Sequence, residues 1–236
     1  NFYEVSRKEA HELHPLAQFD DIRCIMYEPD GGNVDPSGVP HAYAAGARTM
    51  GATIERFCPV IGTDQQPDGS WIVRTEKGDI HAQWVVNAAG LWGREVAALA
   101  GLTLPLQPTE HQYFVTETID EIEKLGRRLP SIADRDGEYY FRQEGNGLLI
   151  GAYEKDMKFW AEDSTPLDFA HDLFPDDLDR IMENVIRATE RVPVAASAGV
   201  KRVINGPMIW SPDSNMLWGP VPELKNYFMM GGLIPA

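Results

Sequence analysis

The sequence predicts an α/β or α+β fold in which helices pack on a sheet-rich second half. Short apolar runs bounded by turn residues recur along the chain, as is typical of strands. Residues 175–191 carry an apolar stripe at helical spacing. Residues 84–100 combine an apolar strand, a small-residue turn and a helix, the order in which α/β proteins bring their backbone close to a bound ligand.

Composition excludes several functional classes. A chain of 236 residues fits one large domain or two modest ones, and 43% hydrophobic with 24% charged residues is ordinary globular composition. The net charge of −15, without a Lys/Arg cluster, argues against nucleic acid and anionic membrane surfaces as partners. No apolar run is long enough to span a bilayer. Two cysteines, Cys24 and Cys58, suit a reducing cytosol or organelle matrix.

Turn signals divide the first half of the chain. The predicted elements are a short polar helix or turn at 9–16, a strand at 22–26, an Ala-rich helix at 39–50 closed by Gly51, strands at 53–61, 71–75 and 80–87, and a helix at 91–100 closed by Gly101. The turn between the last two, Ala88-Ala89-Gly90, has no bulky side chain. A ligand could therefore approach the backbone there and meet unpaired N–H groups of the helix N-terminus.

The second half reads as a sheet with one long helix. Predicted strands are 112–118, 139–143, 148–153, 200–204 and 227–230, with a hairpin turn at 144–147. The helix at 175–191 ends before Pro193. These elements predict a mixed sheet covered by helices.

Chemistry-bearing residues are few when they are taken without a family. His11 and His14 have no Cys or carboxylate at matching spacing, so we expect no metal site. His111 enters a strand, where a buried or edge histidine is the common reading and a catalytic one the alternative. Strand alternation puts Tyr140 and Arg142 on one face and Tyr139 and Phe141 on the other. Aromatic residues are common in strands, so a purely structural role is the alternative.

Several short segments, in one order along residues 11–230, carry more specific information. They are 11–16 (HELHPL), 33–36 (NVDP), 44–48 (AAGAR), 86–95 (VNAAGLWGRE), 110–113 (EHQY), 139–144 (YYFRQE), 177–183 (DLDRIME), 205–207 (NGP) and 211–213 (SPD). Together they resemble the FAD-dependent amine oxidoreductases of the D-amino-acid oxidase superfamily, above all the dimethylglycine and sarcosine dehydrogenase branch. The His-Gln-Tyr form at 111–113 is more similar to the dimethylglycine enzymes.

The resemblance implies two domains. Residues 1–105 would be the remainder of a Rossmann-type FAD-binding domain. Residues 106–236 would be a substrate-binding domain with a mixed sheet that runs back towards the FAD domain. The Gly-x-Gly-x-x-Gly unit for the FAD pyrophosphate, the upstream histidine that links FAD covalently in many members, and the tetrahydrofolate-binding region of the long members are not in this sequence. We therefore expect a central fragment that, by itself, neither holds FAD well nor turns over.

The activity implied for the parent protein is oxidative demethylation of a small N-methylated amino acid, such as dimethylglycine, by hydride transfer to FAD. Tetrahydrofolate would take part through a domain not present here. The acceptor of the electrons, oxygen or an electron-transfer flavoprotein, stays open. The location implied is cytoplasmic in a bacterium and the mitochondrial matrix in a eukaryote.

Site residues follow from the same resemblance. His111 would accept or relay the amine proton, and one of Tyr139 and Tyr140 would hydrogen-bond the amine or the substrate carboxylate. Tyr140 is favoured because Arg142 shares its face and could pair with a carboxylate; Tyr113 joins Arg142 as a substrate-binding residue. Expected FAD contacts are Val60, Ala89, Gly90 and Trp92, although Val60 would otherwise be read as core and Trp92 as helix packing.

Alternative functions remain on the same scaffold. Sarcosine, a glycine betaine derivative or a D-amino acid could be the substrate. A catalytically inactive regulatory relative, or a plain binding module, belongs to another class. The presence of His111 and the tyrosines favours an enzyme.

Overall fold

The computed structural model describes residues 2–170 and 172–232. Within these residues the helices are α1 Arg7–Leu13, α2 Gly38–Thr49, α3 Gly93–Ala98, α4 Asp120–Leu125 and α5 Met182–Arg191, with 3-10 turns at Gly90–Trp92, Leu178–Ile181 and Pro193–Ser197. The strands are β1 Tyr3–Glu4, β2 Met26–Tyr27, β3 Val60–Gln65, β4 Trp71–Thr75, β5 Gly78–Ala82, β6 Val85–Asn87, β7 Gln107–Thr116, β8 Ile132–Asp134, β9 Tyr139–Glu144, β10 Gly147–Ala152, β11 Val200–Trp210, β12 Leu217–Pro220 and β13 Tyr227–Gly231. None of the described helices has the length and apolarity needed to cross a membrane.

The largest sheet has five strands in the order β11-β7-β10-β9-β8, and each neighbouring pair is antiparallel. The predicted hairpin at 144–147 joins β9 to β10, and Gly145 takes the positive φ of 60° that the tight turn requires. The sequence predicted a mixed sheet for this half of the chain. The mixed pairing instead lies in a smaller sheet, β12-β13-β6, where β13 runs parallel to β6.

The pairing of β13 with β6 brings the end of the described chain back to its first half. Tyr227 lies opposite Val85, and Met229 lies opposite Asn87, the last residue before the small-residue turn. Trp71 of β4 is fully buried, packs against the Tyr227 ring at 5.3 Å and donates its indole N–H to the Lys225 carbonyl. This contact ties the third sheet, β3-β4-β5, to β13.

One face of the five-stranded sheet is covered by α5 and the turns that flank it. Phe114, Phe141, Ile150 and Ile181 are nearly inaccessible there and belong to one apolar cluster. Burial of such side chains stabilises the fold by about 1.5–3 kcal/mol each. Because side chains alternate along a strand, the neighbours of these residues lie on the other face, which carries the candidate site.

The helix predicted at 175–191 begins later than expected. Residues 178–181 form a 3-10 turn, and the α-helix starts at Met182. Asp177 has a non-helical φ of −143°, and both of its backbone groups bond to the side-chain amide of Gln112. The backbone at Asp177 thus finds its partners in the sheet rather than in a helix.

Three predicted strands of the first half were placed wrongly. The strand expected at 53–61 starts at Val60, since Phe57 has a φ of 51° and Pro59 has no N–H to pair. The strand expected at 80–87 is divided between β5, which pairs with β4, and β6, which pairs with β13. In the region expected at 22–26, only Met26 pairs, opposite Glu4.

Candidate active site

Strand β7 separates two chemical environments. Glu110 and Gln112 are buried on the face that α5 covers, whereas the half-buried His111 and Tyr113 lie on the opposite face. His111 pairs with Gly206 of β11, a position without a side chain. The imidazole therefore projects from the middle of the sheet without a large neighbour on that strand.

Three rings gather near His111 and together with it form what we call the aromatic cluster: His111, Tyr140, Tyr153 and Trp210. The imidazole stacks on the Tyr153 ring at 5.0 Å and lies 6.5 Å from the Tyr140 ring, with planes 28° and 18° apart. Tyr153 lies 5.6 Å from Tyr140 and meets Trp210 edge-on at 6.4 Å. The rings present an apolar surface against which N-methyl groups of a small amine can pack.

Tyr140 reaches this cluster because Gly151 stands opposite it on β10. A Cβ built on Gly151 would overlap the Tyr140 ring and its hydroxyl. The ring thus lies across the bare backbone of β10, and strand alternation brings it to the side of His111 and Tyr113.

The sheet opens beside His111. On one edge of β7, pairing with β10 covers Tyr113–Val115, and pairing with the segment 158–160 begins at Glu110. The intervening loop 153–157 leaves the sheet. A cavity of about 220 Å³ lies at this opening, lined by Thr109, Glu110, His111, Glu138, Tyr153, Glu154, Lys155, Met157 and Trp210. Its size suits a small organic molecule.

Burial sets the protonation of the two central groups. It lowers the pKa of His111 to about 4, with the positive charge of Arg180 acting in the same direction. Burial likewise raises the pKa of Tyr140 well above its usual value, helped by the neighbouring Tyr153 and Tyr113. Near neutral pH His111 is therefore a neutral proton acceptor and Tyr140 a hydroxyl donor.

Arg142 shares the face of Tyr140, as alternation predicted, but lies at the other end of the site. It pairs with Leu149 on β10, which pairs with Val115 on β7. Val115 is four residues along β7 from His111, a separation of about 13 Å along the strand. Arg142 lies two strands across from Val115, a further separation of about 10 Å. The guanidinium of Arg142 lies 3.5 Å from the Glu144 carboxylate. The structure therefore places Arg142 near Tyr140, where its charge partly opposes the effect of burial on the pKa of Tyr140, and away from His111.

Tyr139 is separated from the cluster altogether. Its ring is buried on the α5 side and stacks on Phe141. Its hydroxyl donates to Asp134 at 2.8 Å and accepts from Arg191 at 3.3 Å. Tyr139 thus has the contacts of a core residue, and the two tyrosines that the sequence left as alternatives point into different environments.

The small-residue turn after β6 is held by one buried side chain. Asn87 accepts a hydrogen bond from the Ala89 N–H and donates to the Gly93 carbonyl. Gly90 has a φ of 55°, and a Cβ built on it would meet no atom within 4 Å. The turn is thus fixed in shape and exposes open backbone, which fits the close approach of a dinucleotide.

The other two expected cofactor contacts have different surroundings. Trp92 donates its indole N–H to the Pro166 carbonyl at 2.9 Å, so it packs against the segment that follows 158–160. Val60 is 39% exposed at the start of β3, in a different sheet from the turn. Neither residue is buried in a core, so both have surface that a cofactor could cover.

Sequence reasoning missed Tyr153, Trp210, Glu154 and Arg180. Alternation from Gly151 could have placed Tyr153 on the site face, although β10 ends one residue earlier. Trp210 lies beyond the predicted end of its strand. Arg180 lies on the predicted helix, and nothing in the local pattern shows that it faces carboxylates distant in sequence.

The structure combines an antiparallel sheet that carries a histidine and tyrosines on one face with a strand–turn–helix unit that suits a dinucleotide. This combination is typical of α+β enzymes that use a dinucleotide cofactor. The model of the family described as FAD dependent oxidoreductase matches residues 2–234. The chain belongs to this family, which confirms the resemblance and the predicted fold class.

Named relatives agree with this membership. The chain is 42% identical to mitochondrial dimethylglycine dehydrogenase of Rattus norvegicus, over 98% of this chain and 27% of the relative. It is 35% identical to mitochondrial sarcosine dehydrogenase of Homo sapiens, over 98% and 25%. Among solved structures it is similar to L-proline dehydrogenase from P. horikoshii, with a TM-score of 0.79 and 25% identity over 98% of this chain and 59% of that one. The chain thus spans about a quarter of the length of these curated relatives.

Proposed function

We propose that this chain forms the substrate side of an FAD-dependent enzyme that oxidatively demethylates a small N-methylated amino acid such as dimethylglycine. The observation that carries the proposal is the aromatic cluster, in which a neutral imidazole stacks on a tyrosine at the mouth of a cavity of about 220 Å³. The relatives named for dimethylglycine and sarcosine support the class of substrate. When it is bound, FAD supplies the acceptor for a hydride from the N-methyl carbon.

The chain's own residues prepare the amine. The nitrogen lone pair must be free to assist loss of the hydride, so the ammonium form of the substrate has to lose its proton. An imidazole nitrogen of His111, in a ring that burial keeps neutral, can accept or relay that proton. The Tyr140 hydroxyl, which burial keeps protonated, can donate a hydrogen bond to the substrate. Water then hydrolyses the oxidised N-methyl group to formaldehyde and the demethylated amine.

The substrate carboxylate has two candidate partners. Arg142 shares Glu144 with Arg202, at 3.5 Å and 3.9 Å, so this end of the face holds two cations and one anion. Lys155 lines the same cavity as His111 and lies 3.8 Å from Glu138. For a substrate as short as dimethylglycine Lys155 is the nearer cation, and for a longer amino acid Arg142, with Tyr113, is within reach.

Anaerobic mixing of the FAD-loaded protein that contains this chain with dimethylglycine, sarcosine and D-alanine tests the assignment. Dimethylglycine should reduce the flavin fastest. Preference for sarcosine or D-alanine would replace the substrate and keep the site, and absence of reduction by all three would favour the inactive relative. Lys155→Met and Arg142→Met form a matched pair, because the variant that raises the half-saturating concentration about tenfold identifies the carboxylate partner.

Two further parts of the proposal concern other components. Residues 1–105 would contribute to the FAD domain and residues 106–236 to the substrate domain. Tetrahydrofolate would receive the one-carbon unit through a region outside this chain, and an electron-transfer flavoprotein or oxygen would reoxidise the flavin. Formaldehyde release with and without tetrahydrofolate, and reoxidation with each acceptor, test these parts separately.

A further inference from the structure

A buried ion cluster lies on the α5 side of the sheet, directly beneath the aromatic cluster. Its centre is Arg180, whose side chain is only 9% exposed. The guanidinium bonds to the Glu154 carboxylate, lies 3.5 Å from the Glu110 carboxylate and contacts Asp177 through Nε at 3.2 Å. The Glu110 carboxylate also binds Lys158 at 2.7 Å and Asn205 at 3.0 Å.

The two carboxylates that Arg180 bridges are the chain neighbours of the two rings that stack. Glu110 precedes His111, and Glu154 follows Tyr153. In addition, Arg180 donates through Nη1 to the Glu110 carbonyl at 3.3 Å, so it holds the backbone of β7 as well as a side chain. The guanidinium therefore connects β7 to the loop 153–157 on the α5 side of the sheet. The rings that these two segments carry, His111 and Tyr153, stack on the other side.

This bridge stands where the sheet itself gives no connection. Pairing between β7 and β10 stops at Tyr113. Tyr153 still donates its N–H to the Glu138 carbonyl at 2.8 Å, on the side away from β7, and the loop then leaves the sheet. Beside His111 the loop is thus held to β7 by the ion cluster and by the pairing of Glu110 with Lys158. The separation of His111 and Tyr153 depends on these contacts.

We propose that Arg180 is a positioning residue of the active site: from the opposite face of the sheet it bridges Glu110 and Glu154, and so holds His111 and Tyr153 stacked with a positive charge near the imidazole. The proposal rests on the proposed function for its catalytic meaning. Arg180 is not among the residues that line the cavity, so the guanidinium acts on the site through Glu110 and Glu154, which do line it. It acts by fixing geometry, and its positive charge adds to the burial that lowers the pKa of His111.

Other groups near His111 also affect its pKa. Tyr140 and Tyr153 pack against the ring, and Glu110, Glu138, Glu154 and Lys155 share its cavity. Loss of Arg180 removes one positive charge near His111. It also leaves the negative charges of Glu110 and Glu154 without the guanidinium that balances them. Both changes favour the imidazolium, so the expected direction is fixed.

The charge arm of the test is a ¹⁵N NMR titration of histidine-labelled, FAD-loaded protein, with the His111 signal assigned from a His111→Gln variant. Arg180→Met should raise the pKa of His111 by about 0.5 or more, from its value of about 4. Arg191→Met is the matched control, because Arg191 is as buried, lies on the same side of the sheet and pairs with Asp21 and Asp134 instead. A folded Arg180→Met protein whose His111 titrates as in the unmodified protein, or an equal shift in Arg191→Met, would overturn the proposal.

The geometry arm uses Arg180→Lys, which keeps the charge and is the variant better able to fold. A lysine lacks the planar fork of donors and cannot reproduce all of the guanidinium's contacts with Glu110, Glu154 and Asp177. Hydrogen exchange at Glu110 and Tyr153 should therefore accelerate about tenfold while the pKa of His111 stays close to its original value. Unchanged protection in Arg180→Lys would refute the bridge. Neither arm needs a substrate, so failure here is distinguishable from failure of the demethylation proposal.

Discussion

The rings of His111 and Tyr153 stack with centroids 5.0 Å apart and planes 28° apart, although their strands are no longer paired at this point. In an antiparallel sheet, rings on strands that pair directly are held by the ladder. Here the contact lies over an opening in the sheet. The stack therefore forms one wall of the cavity, and changes to either ring should affect chemistry more than stability.

His111→Ala should slow reduction of the flavin by dimethylglycine by about 10²- to 10⁴-fold, the usual effect of losing a positioned proton acceptor. The rate should rise with pH through an apparent pKa below that of the free amine, because the site disfavours the cation, and the variant should shift or flatten this limb. Stopped-flow reduction between about pH 6 and 9 measures both. His81→Ala, on the exposed strand β5, is the control. Equal rates for His111→Ala and the unmodified protein would make His111 structural.

The neighbouring tyrosines allow a matched comparison. Tyr139→Phe removes the hydroxyl that bonds Asp134 and Arg191 in the core, so the free energy of unfolding should fall by about 1–3 kcal/mol with little change in the rate of flavin reduction. Tyr140→Phe should do the reverse, lowering the rate several-fold with a smaller effect on stability. Urea unfolding and stopped-flow reduction of both variants give the answer. Loss of activity in Tyr139→Phe alone would exchange the two assignments.

Gly151→Ala should force the Tyr140 ring away from the cluster. Overpacking of this kind costs about 1–3 kcal/mol of stability, and we expect kcat/KM for dimethylglycine to fall about tenfold or more. In a Tyr140→Leu background the smaller side chain leaves room for the added methyl. The same Gly151→Ala change should then cost little stability. An equal cost in both backgrounds would show that the methyl meets something other than Tyr140.

Gly90→Leu should reduce retention of FAD, because a side chain would occupy the surface that the turn leaves open. Gly90 has a φ of 55°, so leucine also adds backbone strain. Gly90→Asn separates the two effects, since asparagine tolerates this conformation. Flavin content after gel filtration, together with thermal unfolding, should show both variants losing FAD and only Gly90→Leu losing much stability. Full flavin content in Gly90→Asn would place the dinucleotide elsewhere.

His14 makes stability depend on pH. Burial against Phe141 lowers the pKa of His14 to about 4, below the ordinary value of 6.5 that applies in the unfolded chain. As pH falls through this window the unfolded state binds the proton first, so stability is present above about pH 6.5 and is lost towards pH 4. The loss amounts to at most about 3 kcal/mol. His14→Leu should flatten the curve of unfolding free energy against pH, and an unchanged slope would contradict the burial effect.

Local pattern was sufficient for the parts of the fold that depend on nearby residues. The hairpin at 144–147, the alternation that divides Tyr139 from Tyr140 and the apolar stripe of α5 are all set within one or two turns of chain. Strand ends were harder. The predicted strands begin at 112 and end at 204, whereas β7 begins at Gln107 and β11 ends at Trp210. The added stretches contain Pro108, Gly206 and Pro207, which are uncommon inside strands. They pair with each other, at His111 opposite Gly206 and Glu110 opposite Pro207.

The sequence predicted only part of the candidate site, because the rest depends on how distant strands pair. His111 and Tyr140 could be named from the family resemblance, and the structure brings their rings within 6.5 Å. Tyr153 and Trp210 join them through strand register, and Arg180 reaches Glu110 across 70 residues of chain. Such contacts depend on tertiary packing, which a local sequence pattern does not encode.

The opening beside His111 separates what the cavity recognises from what keeps the protein folded. The loop 153–157 is anchored at one end by β10 and at the other by the pairing of segment 158–160 with β7. Its middle residues, Lys155 and Met157, are exposed and line the cavity without contributing to a strand. Substitutions at Lys155 and Met157 can therefore retune which amine fits, while Tyr153, Glu154 and the sheet that supports His111 keep their contacts. A scaffold built in this way can diversify its substrates over evolution without first losing its stability.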